Sequence, residues 1–315
     1  MSLNTSRLDA AKEHTAQALT LAVCSNRIEN IKKHWRSYLT SLCITDTLLI
    51  VLDLEACPAV ASLAAELVQA GAKVIINGRN LGLSLSRNVV LGHCQTNYLV
   101  FVDDDVVIPR QTVASIRLEL VAGAEVVGVR ISGPEDGLYL PWYISEGQFH
   151  YLAIHNPWAR NKTTWGACMA LNLPFTKATD VKFRIELGRR GRKLQCGDDT
   201  TFLRELRERG AKESFLTESH VFHNFNPQRL SLIYMLRRAY WQGRTEFRRG
   251  NSVNGLRKEW ARFFDTDARV MRKAVLALIY ICPVLAGILR EWLGCFRRDV
   301  ARATLHRLPL NPRAK

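Results

Sequence analysis

Val100-Phe101-Val102-Asp103-Asp104-Asp105-Val106-Val107 is the stretch on which the reading of this chain turns. The run from Tyr98 to Val102 is apolar, has the length of a fully buried strand, and stops at three consecutive acids. Carboxylates this close repel one another and cost stability unless a cation neutralises them. A divalent ion, Mg2+ or Mn2+, held by one or two carboxylates and by the oxygens of a bound diphosphate is the usual resolution. Such an ion acts as a Lewis acid on a departing diphosphate. The plainer alternative is an acidic cap on a following helix.

Upstream of the acids, apolar runs alternate with helical patterns. Leu19 to Cys24 reads as a strand and Ile28 to about Thr40 as a helix. Thr47 to Leu54 is a second buried strand, reaching Asp53, and Pro58 to Ala70 is an alanine-rich helix closed by Gly71 at its C′ position. Ala72 to Ile76 is a third strand and Ser84 to Cys94 another helix. Downstream, the pattern predicts a helix near Gln111 to Leu120 and a strand near Glu125 to Val129. An irregular, aromatic-rich stretch follows from Gly133 to Trp165, and helices from Pro227 onward. Alternation at this spacing predicts an α/β fold with a mostly parallel sheet covered by helices on both faces. Ligands in such sheets bind beyond the carboxyl ends of the strands.

The chain has 315 residues, 47% of them hydrophobic, enough for a substantial core. Its eight cysteines are scattered without Cys-x-x-Cys or zinc-type spacing, so they read as small hydrophobes in a reducing compartment. Met1 to Ala22 is polar and lacks the apolar core of a secretory signal. The expectation is a domain facing the cytoplasm. The net charge of +15 is uneven: from Arg229 on there are 19 Lys/Arg against 6 Asp/Glu, which leaves only +2 for the first 228 residues.

A second acid cluster lies far downstream, in Cys196-Gly197-Asp198-Asp199-Thr200-Thr201-Phe202-Leu203-Arg204-Glu205-Leu206-Arg207-Glu208-Arg209-Gly210. Paired acids at a helix start are favoured by the helix dipole, so capping alone is one explanation. Together with the rest of the chain another emerges. The strand-Asp-Asp-Asp-apolar-apolar-x-Pro pattern resembles the Asp-x-Asp signature of GT-A glycosyltransferases. Asn77-Gly78-Arg79-Asn80-Leu81-Gly82-Leu83-Ser84-Leu85-Ser86-Arg87-Asn88 is similar to the Asn-x-Gly-x-x-x-x-Arg-Asn pattern of glycosyltransferase family 2, and the Asp198-Asp199 helix resembles that family's Gly-Glu-Asp motif. The resemblance spans about residues 19 to 245.

That resemblance implies a GT-A nucleotide-sugar-binding fold and inverting transfer from a nucleotide-sugar donor to an acceptor hydroxyl. Asp199 is then the general base, which takes the acceptor's proton during attack from the face opposite the diphosphate, and Asp198 the reserve candidate. Asp103 and Asp105 form the outer pair of the Asp-x-Asp, one near the donor ribose and one on the metal, with Asp104 a donor contact. Ser25, Arg27, Asp53 and Arg87 complete the donor side. His223 is a further candidate metal ligand; it and His220 fall on different sides of the chain, so one imidazole at most serves. Trp165 and Gly166, in Thr164-Trp165-Gly166-Ala167-Cys168-Met169-Ala170-Leu171-Asn172, line the acceptor side, where the indole face suits a pyranose ring. Arg238 or Arg244 could reach the diphosphate.

The domain division expected is an N-terminal extension over 1–18, a GT-A domain over 19–226 and a basic helical region over 227–315. Within the last, Ala274 to Leu289 is a run of 16 uncharged residues between Arg269, Arg272 and Lys273 on one side and Arg290 on the other, with Pro283 inside. The run is interrupted by Pro283 and shorter than the roughly 20 apolar residues of a spanning helix. A helix lying in an anionic membrane surface fits better than a span or a packed soluble helix. The protein is accordingly expected to be peripheral at the inner face of the cell membrane. Its acceptor is expected to be a glycan, a lipid-linked sugar or a small molecule. Nucleic acid is not an expected partner, since no zinc-finger spacing, RNP-like strand or helix-turn-helix accompanies the charge. A metal-dependent nucleotidyltransferase or an inactive GT-A scaffold at the membrane are the competing functions.

Overall fold

The computed structural model describes residues 17–157, 163–264 and 270–307, so nearly all of the expected 1–18 extension lies outside the described residues. The chain divides into two compact units, one ending at Arg229 and one beginning at Leu230.

The first unit opens with the alternation read from the sequence: β1 (Leu19–Ser25), α1 (Ile28–Ser41), β2 (Thr47–Glu55), α2 (Pro58–Gln69), β3 (Lys73–Gly78), α3 (Leu83–His93) and β4 (Tyr98–Asp103). β1 pairs in parallel with β2 on one side and β4 on the other, and β2 with β3. The buried runs Leu19 to Val23, Leu48 to Asp53 and Leu99 to Val102 sit in β1, β2 and β4, as strands covered on both faces require. Helix α2 starts on Pro58 at its first turn, and Gly71, with φ +92°, takes the left-handed position that ends it.

Beyond the acids come β5 (Val106–Val107), α4 (Arg110–Val121), β6 (Val126–Ser132), β7 (Cys168–Asn172), α5 (Leu173–Ala178), α6 (Asp198–Glu208) and β8 (Glu213–His223). The eight strands form one mixed sheet in the order β3-β2-β1-β4-β7-β6-β8-β5. β7 runs antiparallel between β4 and β6, so parallel pairing is interrupted just where the strand order turns. β8 pairs in parallel with β6, with a register shift at Val129/Arg130. Its Glu-Ser-Phe-Leu-Thr-Glu-Ser-His sequence has no clean period of two, and pairing rather than pattern makes it a strand.

The core places the site. Phe101 of β4 meets Phe183 edge-on at 5.7 Å, and Phe183 stacks on Phe202 of α6 at 3.9 Å between ring centres. These rings dock the start of α6 beside the end of β4, two elements almost a hundred residues apart.

The second unit consists of α7 (Leu232–Arg248), α8 (Ser252–Phe264) and α9 (Val270–Arg307). Ser231 caps α7 by accepting from the Tyr234 amide. α7 and α9 cross at backbone contact: a Cβ on Gly243 would lie 1.9 Å from the Val284 carbonyl oxygen, and one on Gly287 2.0 Å from that of Tyr240. Glu291 of α9 is gripped by Arg244 and Arg248 of α7, and Arg244 also lies over the Trp241 ring, so Arg244 is committed within this unit. The sequence expectation of an interrupted apolar run needs correction, because α9 is continuous through Pro283. The missing proline N–H costs one helical hydrogen bond, and the crossing with α7 at the very next residue holds the helix together. Ala274–Phe296 is long and apolar enough, by length and composition, to cross a membrane.

Gly243→Ala should destabilise the helical unit. The gain in helix propensity is about 1 kcal/mol. A methyl carbon less than 2 Å from a carbonyl oxygen forces the helices apart, and overpacking of this kind costs about 1–3 kcal/mol. The expected outcome is a lower melting temperature and faster limited proteolysis beyond Leu230. Gly294→Ala, where a Cβ meets nothing within 4 Å, should keep the propensity gain and leave the melting temperature equal or slightly higher.

Candidate active site

The carboxyl ends of β1, β2 and β4 carry Ser25, Asp53 and Asp103, and the chain between β3 and α3 folds over them. Asp53 is buried, and its oxygens accept from Asn77 Nδ2, the Leu81 amide and the Gly82 amide, each at 2.8 Å. Its first occupation is therefore to hold this loop. Gly82, at φ +99°, gives α3 its start, and the Leu83 amide donates to the Arg189 carbonyl. The loop so fixed aims Ser84 and Arg87, one helical turn apart, at the same point.

That point is the second acid cluster. The Arg87 guanidinium, almost wholly buried, donates to Asp198 Oδ2 at 3.1 Å, to Asp103 Oδ1 at 3.2 Å and to the Gly166 carbonyl at 2.8 Å. Ser84 Oγ donates to the same Asp198 oxygen at 3.1 Å. Burial alone would lower the Arg87 pKa, but Asp198 and Asp103 outweigh it and raise it above the ordinary value. Burial pushes the carboxyls of Asp103 and Asp198 up, against the pull of Arg87.

Gly166 joins this cation to Asp199. Its carbonyl accepts from Arg87, and its amide donates to Asp199 Oδ2 at 2.7 Å. A Cβ there would lie 2.7 Å from the guanidinium and 3.0 Å from Asp199 Cβ, so only glycine fits. Asp199 also accepts from the Thr200 amide at 2.7 Å and is half-buried, whereas its neighbour Asp198 is buried. Of the two, Asp199 is the carboxylate a substrate can reach.

The three acids after β4 do not share one partner. Asp103 turns to Arg87. Asp104 accepts from Ser25 Oγ and from Asn30 Nδ2 at 3.1 Å, and burial with Asp105 nearby raises its pKa to about 6. Asp105 faces His223 Nε2 at 3.0 Å through Oδ1 and Arg229 Nη2 at 2.7 Å through Oδ2. Burial opposes its charge, yet His223 and Arg229 together hold its carboxyl well below the usual carboxylate range.

Among the described residues no group of three or more His, Cys, Asp or Glu side chains is set for a metal. Asp105 and His223 nonetheless fit as a two-residue site. Their facing atoms are 3.0 Å apart, close to the edge of an octahedron with bonds of about 2.1 Å. His223 Nδ1 faces the Ala153 carbonyl at 3.3 Å, the kind of outer contact that orients a ligating imidazole. His220 points elsewhere, its Nδ1 3.2 Å from Ser132 Oγ, as alternation along β8 dictates.

The remaining expected residues are more peripheral. Arg27 is exposed, and its amide donates to Ser25 Oγ at 3.0 Å. Trp165 is half-buried with one face stacked on His155 at 4.2 Å, so only its other face can meet a ligand. Sequence reasoning passed over Ser84 and Asn30. Ser84 had a signal, its place three residues before Arg87 on a predicted helix.

A family model described as glycosyl transferase family 2 matches residues 23–177. The succinoglycan biosynthesis protein ExoM of Rhizobium meliloti (strain 1021) is 27% identical over 186 residues, which is 56% of this chain and 56% of that protein. Among solved structures, the mannosyltransferase PcManGT from Pyrobaculum calidifontis, in complex with GDP-Man and Mn2+, is similar with a TM-score of 0.57 at 13% identity, over 87% of this chain and 86% of that one. TarS 1–349 of S. aureus in complex with UDP-GlcNAc is similar with a TM-score of 0.51 at 15% identity, over 82% and 70%. These structures share the GT-A fold with this chain.

Removing the cation from the buried cluster leaves two carboxylates without it. Arg87→Met should cost about 3–5 kcal/mol in urea unfolding. Adding Asp198→Asn should recover part of the loss, as expected of residues in one network. Arg36→Met, which breaks an exposed pair with Glu66 at 3.0 Å, should cost no more than about 1 kcal/mol.

Proposed function

The chain carries a family 2 glycosyltransferase domain on the GT-A fold, and from that premise we propose that the protein transfers a sugar, with inversion, from a nucleotide-sugar donor to an acceptor hydroxyl. The observation that carries this reading is the Arg87 cluster. One guanidinium ties the end of β4, where the first acids lie, to the start of α6, where the second lie, so both clusters face one site.

In this mechanism the donor lies over the ends of β1, β2 and β4, with Ser25, Arg27, Asp103 and Asp104 along it. Asp53 and Arg87 serve it indirectly, by holding the 77–82 loop and the acids. Asp105 and His223 would hold Mg2+ or Mn2+, which supplies charge neutralisation to the leaving diphosphate. Asp199 takes the acceptor's proton. Its hydrogen bonds to two backbone amides fix its direction and leave lone pairs for the hydroxyl. Asp198 is a positioning residue, since its buried carboxylate is engaged by Arg87 and Ser84. Gly166 lets Arg87 and Asp199 close on the same peptide, and the Trp165 face turned away from His155 would meet an acceptor ring. The family match sets the nucleotidyltransferase alternative aside.

The similarity to a succinoglycan biosynthesis protein supports a glycan or lipid-linked acceptor of the cell envelope. α9 supports a place at the inner membrane surface. Its Val275, Leu278, Leu285, Leu289, Trp292 and Phe296 are exposed, while Leu276, Tyr280 and Val284 are buried. An apolar arc facing outward from Val275 to Phe296 is what an interfacial helix presents to lipid.

A panel of UDP-, GDP- and dTDP-sugars with Mn2+ or Mg2+ tests the chemistry. One donor should bind or be hydrolysed only with metal; Asp105→Ala should lose this binding, whereas Asp199→Ala should keep it and lose turnover by about 10²-fold or more. No binding of any donor, with both substitutions silent, would leave the inactive-scaffold reading. Flotation with anionic vesicles tests the surface. Leu278→Glu/Leu285→Glu should abolish it, and unchanged flotation would refute the assigned face.

A further inference from the structure

Arg229 closes a ring with the two residues given to the metal above. Nη2 lies 2.7 Å from Asp105 Oδ2, Nη1 lies 3.2 Å from His223 Nε2, and Nε2 lies 3.0 Å from Asp105 Oδ1. Asp105 is 5% exposed, His223 1% and Arg229 9%. Either state of the imidazole keeps two of the three edges hydrogen-bonded with no metal: a protonated Nε2 donates to Asp105, a bare one accepts from Arg229, and Arg229 donates to Asp105 in both. The cluster thus carries its own cation, on the same chain and held in place by the turn over Pro227–Leu230.

A divalent ion entering this site meets two difficulties. Asp105 can serve both cations, one on each oxygen, but Nε2 has a single lone pair, and the guanidinium already faces it. Two positive charges at contact distance away from bulk water also repel strongly. A nucleoside diphosphate relieves both, because its oxygens offer the guanidinium a bidentate partner and bring negative charge.

We propose that Arg229 is the metal site's built-in counter-ion: it holds Asp105 and His223 together in the metal-free protein and competes with the divalent cation for them, so metal enters tightly only together with the diphosphate. The inference rests on the assignment of Asp105 and His223 to the metal. By linkage, the diphosphate and the metal each raise the other's affinity by the same factor.

Titration of the full chain with Mn2+, followed by the electron spin resonance of the free ion, reads this directly, with and without UDP or GDP. Wild type should bind Mn2+ weakly alone and at least about tenfold more tightly with the matching nucleotide. Arg229→Gln should bind Mn2+ alone about tenfold or more tighter than wild type, with a correspondingly smaller effect of nucleotide. Arg229→Lys, which keeps the charge, should stay close to wild type. The proposal is overturned if folded Arg229→Gln, checked by its melting curve, binds Mn2+ alone no better than wild type. If that variant does not fold, equal Mn2+ affinity of wild type with and without nucleotide overturns it just as well. Asp105→Asn separates the two readings: it should lose Mn2+ under every condition, and Mn2+ binding that survives it refutes the metal assignment and the counter-ion with it.

Discussion

Taking a carboxylate out of water is unfavourable unless a cation and hydrogen bonds go with it, and Arg87 meets that requirement for the two acids, Asp103 and Asp198, that join the halves of the site. Its guanidinium reaches Asp103 at the end of β4, Asp198 at the start of α6 and the Gly166 carbonyl between them. The stack of Phe101, Phe183 and Phe202 brings the same elements together through apolar contact. Apolar packing sets the distance, and the buried cation sets the orientation. A fold that kept the rings and lost the guanidinium would bring the acids close without aligning them.

The alternating first half was legible because β1, β2 and β4 are buried on both faces and the helices between them carry apolar stripes. β1, β2, β4 and α1 to α3 fall within one or two residues of their expected ends. β8 was not legible. Its identity comes from pairing with β6 across more than eighty residues, and its own sequence carries no alternation to announce this. Pro283 misled for the opposite reason: a strong local signal was overridden by a tertiary contact, the crossing of α9 with α7.

At the site the sequence picked out residues that the fold brings near one another, but not the partners they take. Three adjacent acids suggest one shared ion, yet the structure sends Asp103, Asp104 and Asp105 to three different sets of donors. Successive residues at the end of a strand point in different directions, so adjacency in sequence is poor evidence of a common ligand. Asp53, expected at the nucleotide, is occupied by its own loop, and Asp198, read as a reserve base, is locked to Arg87 and Ser84. In both cases the carboxylate is buried among its own donors, and burial was not visible in the motif.

The crossing of α7 and α9 at Gly243 and Gly287 has a mechanical consequence. Helices in backbone contact cannot slide or peel apart one at a time, so whatever surface takes up α9 must also accommodate α7. The grip of Arg244 and Arg248 on Glu291 is a second fastening between the same two helices, so the pair behaves as one rigid body.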